Sequence, residues 1–356
     1  MLATFDKETR IIGLAAIAAS LATLGLRQAG APDLATFVAS AIALAGLAAL
    51  VGDGTDQLGR RLGPSATGVL QSALGNLPEF FIGIFAIRAG LLDVVRAALV
   101  GSILANTLLV LGLAFVAGGL KHGPQRFGAD QTRTMATLLV LAVAAIAIPT
   151  IATAAGGPAH GHDRDLSVVV SVVLLLVFVA SIPASIGGTA PNGGAEAGAP
   201  GWPLPLAIGV LVVAGVAAAF VSDWFVASLE PAMAALGMSQ AFAGLVVVAI
   251  AGNAVENVVG IQAMLANKGD LAISVILNSS LQVALALAPV LVLVSILLGG
   301  ATLTLVVSPL LVAGLAFAAL LAAFVVIDGE STWLEGVALI GLYAILAASV
   351  WWGPAA

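Results

Sequence analysis

Twice along this chain a carboxylate sits inside a run of residues otherwise suited only to hydrocarbon. The first is in Gly75-Asn76-Leu77-Pro78-Glu79, and 177 positions later comes Gly252-Asn253-Ala254-Val255-Glu256. Twenty-two residues beyond each Glu begins a second polar cluster, Gly101-Ser102-Ile103-Leu104-Ala105-Asn106 in the first half and Asn278-Ser279-Ser280-Leu281-Gln282 in the second, so the offset of 177 holds across two consecutive segments. A third echo lies upstream. Asp56 precedes Leu62-Gly63 by the spacing at which Glu230 precedes Leu236-Gly237, now offset by 174. Register kept over such lengths marks an internal duplication.

The medium for that duplication follows from composition. With 61% hydrophobic and 8% charged residues and a mean hydropathy of +1.17, the chain has too few charges to coat a water-soluble globule of 356 residues. It reads as an integral membrane protein. The absence of Cys excludes disulfides, thiolate metal sites and Cys nucleophiles. A net charge of −6 with no basic patch speaks against a nucleic-acid partner; the bilayer itself is the expected partner, and a homo-oligomer is compatible with the sequence.

A helix needs about 20 apolar residues to cross a bilayer core. Eleven such segments are countable: 11–26, 34–51, 66–87, 97–120, 134–155, 166–186, 204–221, 241–266, 271–298, 303–327 and 334–352. The first resembles a signal peptide in length, but Asp6 and Glu8 before it and Arg27 after it argue for a retained helix. The expected fold is an all-α membrane protein of about 11 transmembrane helices: an N-terminal helix (1–30), a first five-helix repeat (31–186), a flexible Gly/Pro-rich linker (187–203) and a second five-helix repeat (204–356). The two Gly-Asn segments are numbers three and eight. Five crossings separate them, so they enter the membrane from opposite sides and the repeats are inverted, as in many secondary transporters. Lys and Arg number eight in the connections on the N-terminal side and four opposite. That bias places the N-terminus in the cytoplasm, and a compact chain of this kind suggests a prokaryotic plasma membrane.

Within each motif Asn and Glu are three apart, which puts them on one face if helix continues through them, while Gly permits a local break. Pro78 removes a backbone donor and strengthens the expectation of a break in the first copy. Ser102 and Asn106 stand at i, i+4, and Ser279 and Gln282 at i, i+3. Each repeat therefore offers one carboxylate, one amide and a facing set of neutral oxygens. Such an inventory suits a hard cation. Calcium takes 6–8 oxygen ligands, and Glu79 and Glu256 together would balance its two charges. The same carboxylates can carry protons when the cation is absent, so binding competition becomes exchange if the site faces one side at a time, with the two Glu titrating as a coupled pair. Asp53, Asp56, Asp223 and Glu230 fall at or beyond the ends of the apolar segments, Asp56 and Glu230 being candidate entrance residues. His160 and His162, beside Asp163, form a short metal-like tract at a membrane edge.

At these residues the chain resembles the calcium/proton exchanger family of the calcium/cation antiporter superfamily. Gly252 to Glu256 matches that family's Gly-Asn-Ala-x-Glu motif, Gly101 to Asn106 is similar to its Gly-Ser-Ile-Leu-Ser-Asn segment, and Ser279 to Gln282 to its Ser-Ser-Ile-Gln. The resemblance spans helices two to eleven. It implies an antiporter in which Glu79 and Glu256 are the cation- and proton-binding carboxylates, Asn76 and Asn253 coordinate beside them, and Ser102, Asn106, Ser279 and Gln282 line the facing wall. No cofactor beyond the transported calcium and protons is implied, and no enzyme activity. Three departures stand out: Leu77-Pro78 replaces Ala-x, with Pro before Glu as in the sodium/calcium exchangers of the same superfamily, Asn257 stands where the family often has His, and the linker lacks the acidic run that several members carry. The alternatives are accordingly a sodium-coupled exchanger and a passive cation channel.

Overall fold

The computed structural model describes residues 5–62, 74–156, 159–187 and 201–352. Nearly all of them are helical, as residues without water to satisfy their backbone groups must be. Helix α1 is Lys7–Gln28, α2 Asp33–Leu62, α3 Leu77–Arg88, α4 Leu92–His122, α5 Ala129–Ala154 and α6 Asp163–Gly187. The second half contains α7 Leu204–Leu236, α8 Gln240–Gly252, α9 Ala254–Leu265, α10 Gly269–Leu297, α11 Pro309–Val326 and α12 Trp333–Trp351. Among the described residues nine helices are long and apolar enough to span a membrane, and the pair α8 and α9, bent by 63°, makes a tenth. The third expected segment, 66–87, lies partly outside the described residues, and α3 is its described portion. Most of the expected linker, 188–200, lies outside them too.

The duplication is visible in the elements. Helices α3 and α9 begin and end 177 residues apart, and α4 and α10 begin 177 apart. Both α4 and α10 also carry a π-helical turn, at Ala105–Val110 and Val283–Leu287, and the two turns end 177 residues apart. These helices are the most enclosed of the spans. A third π-turn, Ala243–Val248, opens α8 where it crosses α4. The crossing is close because Gly101 and Gly244 present no side chain: a Cβ on either would collide with the other helix's backbone, at Leu245 and Val94 respectively.

Connections that meet in space are those separated by an even number of crossings. The α4–α5 connection pairs with the α11–α12 connection as a two-stranded ribbon, Gln125 opposite Ser331 and Arg126 opposite Glu330. On the other side, residues 298–308 between α10 and α11 form an irregular strap whose backbone is held by hydroxyls. Ser295 Oγ accepts from Leu303 N at 2.9 Å, Ser167 Oγ from Leu305 N at 3.0 Å, and Thr150 Oγ1 from Val307 N at 3.0 Å. Arg96 Nε donates to Thr304 O at 3.0 Å. With five crossings from α4 to α10, the two run in opposite directions, which is the inverted relation expected from the sequence.

One expectation is corrected. The acidic residues Asp53, Asp56, Asp223 and Glu230 do not stand at or beyond helix ends, because α2 runs on to Leu62 and α7 to Leu236. Helical hydrogen bonding is not confined to hydrocarbon. The 33 residues of α7 span roughly 50 Å at 1.5 Å per residue, against about 30 Å of hydrocarbon.

Candidate functional site

In both Gly-Asn segments the Asn leaves helical geometry. Asn76 has φ −93° and ψ 20°, Asn253 φ −94° and ψ 19°, and a new helix starts at the next residue in each case. Asn and Glu therefore do not share one continuous helical face, as uninterrupted helix would have had it. The break also does not depend on proline. The second copy adopts the same geometry with Ala254-Val255, and Pro78 sits in the first turn of α3, where a backbone N–H has no intrahelical acceptor in any case. Glu79 and Glu256 both lie in the first turn of the new helix, α3 and α9 respectively, where the helix dipole favours negative charge.

Side chains from the two halves interlock. Ser102 Oγ donates to Glu79 Oε1 at 3.3 Å, and Asn253 Nδ2 donates to Ser102 Oγ at 2.9 Å. Asn106 Nδ2 donates to Ser279 Oγ at 2.9 Å and to Asn253 Oδ1 at 3.2 Å, and Ser279 Oγ donates to the same Asn253 oxygen at 3.2 Å. Asn76 Nδ2 reaches Gln282 Oε1 at 3.3 Å. Asn76, Glu79, Ser102, Asn106, Asn253 and Ser279 are buried, whereas Glu256 and Gln282 are half-buried. The structure thus brings seven of the eight residues singled out by the sequence into hydrogen-bonded contact between α3, α4, α8 and α10, and places the eighth, Glu256, three residues past Asn253 in the first turn of α9.

Two further features of the site escaped the sequence reading. Gly252 is where Glu79 packs: a Cβ there would overlap Glu79 Cγ and lie 3.1 Å from Oε1. The glycine of the second motif is thereby the seat of the first motif's carboxylate. Moreover, three buried amide oxygens, Asn76 Oδ1, Asn106 Oδ1 and Asn257 Oδ1, have no hydrogen-bond partner among the described residues. Buried acceptors are rarely left so. Asn257 had stood out only as a departure from the family pattern.

A narrow cavity ends on Glu79 and Ser102. Its walls include Ile82 and Ala86 of α3, Leu99 of α4 and Leu291 of α10, so it follows α3 from the helix break toward the α3–α4 connection. The candidate entrance residues lie elsewhere, Asp56 half-buried on α2 and Glu230 exposed on α7, two helices that pack along each other. The His tract gathers no metal set: His160 Nδ1 lies 3.1 Å from Thr153 O, His162 pairs with Asp165 at 3.6 Å, and no group of three or more His, Asp or Glu able to hold a metal exists among the described residues.

The sequence profile of the sodium/calcium exchanger protein family matches residues 33–187 and 206–352. A Ca2+/H+ antiporter of Synechocystis sp. is 34% identical over 343 residues, covering 90% of this chain and 92% of that protein. The Ca2+/H+ antiporter ChaA of Bacillus subtilis is also 34% identical, over 89% of this chain and 92% of its own. Among solved structures, that of native YfkE superposes with a TM-score of 0.83 at 30% identity, over 96% of this chain and 99% of that one.

Proposed function

We propose, for a chain that belongs to the sodium/calcium exchanger protein family and is a multi-pass membrane protein, that it exchanges calcium for protons by alternating access. The observation that carries this reading is the pair of first-turn carboxylates, one from each inverted half, with Glu79 tied to the opposite half through Ser102 and Asn253. Two carboxylates balance a divalent cation, and the uncommitted oxygens of Asn76, Asn106 and Asn257 supply neutral ligands of the kind calcium takes. The break before α9 also leaves carbonyls in the last turn of α8 without intrahelical donors. When calcium leaves, protons take over the same carboxylate oxygens. The relatives named Ca2+/H+ antiporter support this choice of substrate. Pro78, the residue shared with sodium-coupled members, carries no argument for sodium, since the same helix break forms without it. The eight-to-four excess of Lys and Arg supports a cytoplasmic N-terminus.

The test is radiolabelled calcium uptake into proteoliposomes with an imposed pH gradient and the potential clamped, for the parent, Glu79→Gln and Glu256→Gln. The reading requires uptake that follows the pH gradient and is lost in either variant. Uptake that ignored pH and followed a sodium gradient would transfer the assignment to sodium coupling. Flux that could not drive accumulation under any ion gradient would indicate a channel.

A further inference from the structure

The lipid-facing side of the protein carries a groove of about 590 Å³ between α3 and α7. Phe81 and Phe85 of α3 and Leu211 and Phe220 of α7 form its walls, Gly215 leaves its middle without a side chain, and Asp223 closes one end. Its depth in the membrane follows from α7 itself. Asp223 stands 19 residues after Leu204, roughly 28 Å along the helix, close to the thickness of the hydrocarbon core. The apolar part therefore lies among acyl chains and Asp223 lies at headgroup level, beside Trp224, a residue type that prefers that boundary.

Asp223 has a cationic neighbour there. Arg27, in the last turn of α1, places Nη1 3.8 Å from Asp223 Oδ2, with both side chains about half exposed at 44% and 52%. Its guanidinium lies 5.9 Å from the centre of the Trp224 ring. At 3.8 Å the pair makes no close hydrogen bond, so each charge keeps its bonding capacity for a third group. An anion acceptor beside a cation acceptor, above an apolar slot, complements a phosphate and an ammonium above an acyl chain.

We propose that this groove seats one zwitterionic aminophospholipid of the ethanolamine type, its phosphate on Arg27, its ammonium on Asp223 and one acyl chain along Gly215. The seat rests on the chain spanning a membrane and not on its transport chemistry. One wall is α3, whose first turn holds Glu79, so the lipid would brace the helix that carries a carboxylate of the central site.

The experiment uses the full chain, delipidated in detergent, with dioleoyl phosphatidylethanolamine or dioleoyl phosphatidylglycerol added, and reads bound lipid by native mass spectrometry alongside the thermal unfolding midpoint. The parent is expected to retain one phosphatidylethanolamine at least tenfold more strongly than phosphatidylglycerol, with a raised midpoint. Gly215→Leu fills the slot and loses the adduct. Gly209→Leu, at a position where an added Cβ meets nothing within 4 Å, keeps it. Asp223→Asn, a change at an exposed position that guards against misfolding of the Gly215 variant, erases the preference for the amine headgroup. Equal retention of both lipids by the parent, a preference for phosphatidylglycerol, undiminished binding in Gly215→Leu, or an unchanged preference in Asp223→Asn would each overturn the assignment.

Discussion

Asn253 of the second repeat orients Glu79 of the first through one intermediary: its Nδ2 donates to Ser102 Oγ at 2.9 Å, and Ser102 donates to Glu79 Oε1 at 3.3 Å. Asn253 is also fully buried and accepts from Asn106 and Ser279. Replacing it with Ala takes an acceptor from one Asn106 N–H and from the Ser279 hydroxyl, at about 1–3 kcal/mol for each buried donor left unpaired. Asn253→Ala is expected to lower the unfolding midpoint by several degrees and to cut calcium uptake more than tenfold, with Ser102→Ala intermediate. Uptake within twofold of the parent in Asn253→Ala would show that this chain of hydrogen bonds does not set the carboxylate.

Gly252 makes a sharper steric claim. A single methyl at that position collides with Glu79, while one at Gly209 meets nothing. Gly252→Ala should therefore abolish exchange, while Gly209→Ala leaves it intact and stabilises the fold by about 0.4–1 kcal/mol through the unfolded chain. Equal activity of the two variants in a vesicle assay would refute the close packing.

If calcium and protons contend for the same oxygens, apparent calcium affinity must rise with pH, because raising pH removes the competitor. The calcium concentration that half-saturates binding to the detergent-solubilised parent, read by titration calorimetry, is expected to fall as pH is raised, and in Glu256→Gln, which no longer transports, residual binding should depend less on pH. A half-saturation that does not move with pH would separate the proton from the calcium site.

The strap between α10 and α11 gives a stability prediction with no transport chemistry in it. Thr150→Val removes the acceptor for Val307 N, and Ser167→Ala the acceptor for Leu305 N. Each orphans a backbone donor, at about 1–3 kcal/mol. Calorimetry should show a lowered midpoint for each. Since the two hydroxyls hold neighbouring parts of one segment, the double variant should lose less than the two losses added; strict additivity would mean that the strap is held elsewhere.

Orientation is directly readable because the chain has no Cys. Lys268→Cys and Ala301→Cys place thiols in exposed connections on opposite sides. In intact cells an impermeant maleimide is expected to label Ala301→Cys and spare Lys268→Cys. The reverse pattern would invert the assigned topology.

The hydrophobic runs gave the helices, and the 177-residue offset gave their pairing, because span length and sequence register are local quantities that a chain displays without folding. Glu79 and Glu256 were legible for the same reason: a carboxylate in hydrocarbon is costly enough to be conspicuous wherever it ends up. Pro78 misled in one respect, since it suggested a special break in the first copy. The matching dihedrals at Asn76 and Asn253 tie the break to the Gly-Asn step that both copies share. Nor does any residue type signal the π-turns after Leu104 and Gln282.

The sequence alone determined that this is a membrane protein of two related helical halves with one intramembrane carboxylate in each, since hydropathy and periodicity report the solvent that each residue requires. Only the tertiary structure decided which groups touch. Asn106 bonds to Asn253 and Ser279, 147 and 173 positions away, and Gly252 supplies the space for Glu79. Contacts of that range depend on helix crossings, and those are fixed by the packing of whole faces and not by any residue's own preference.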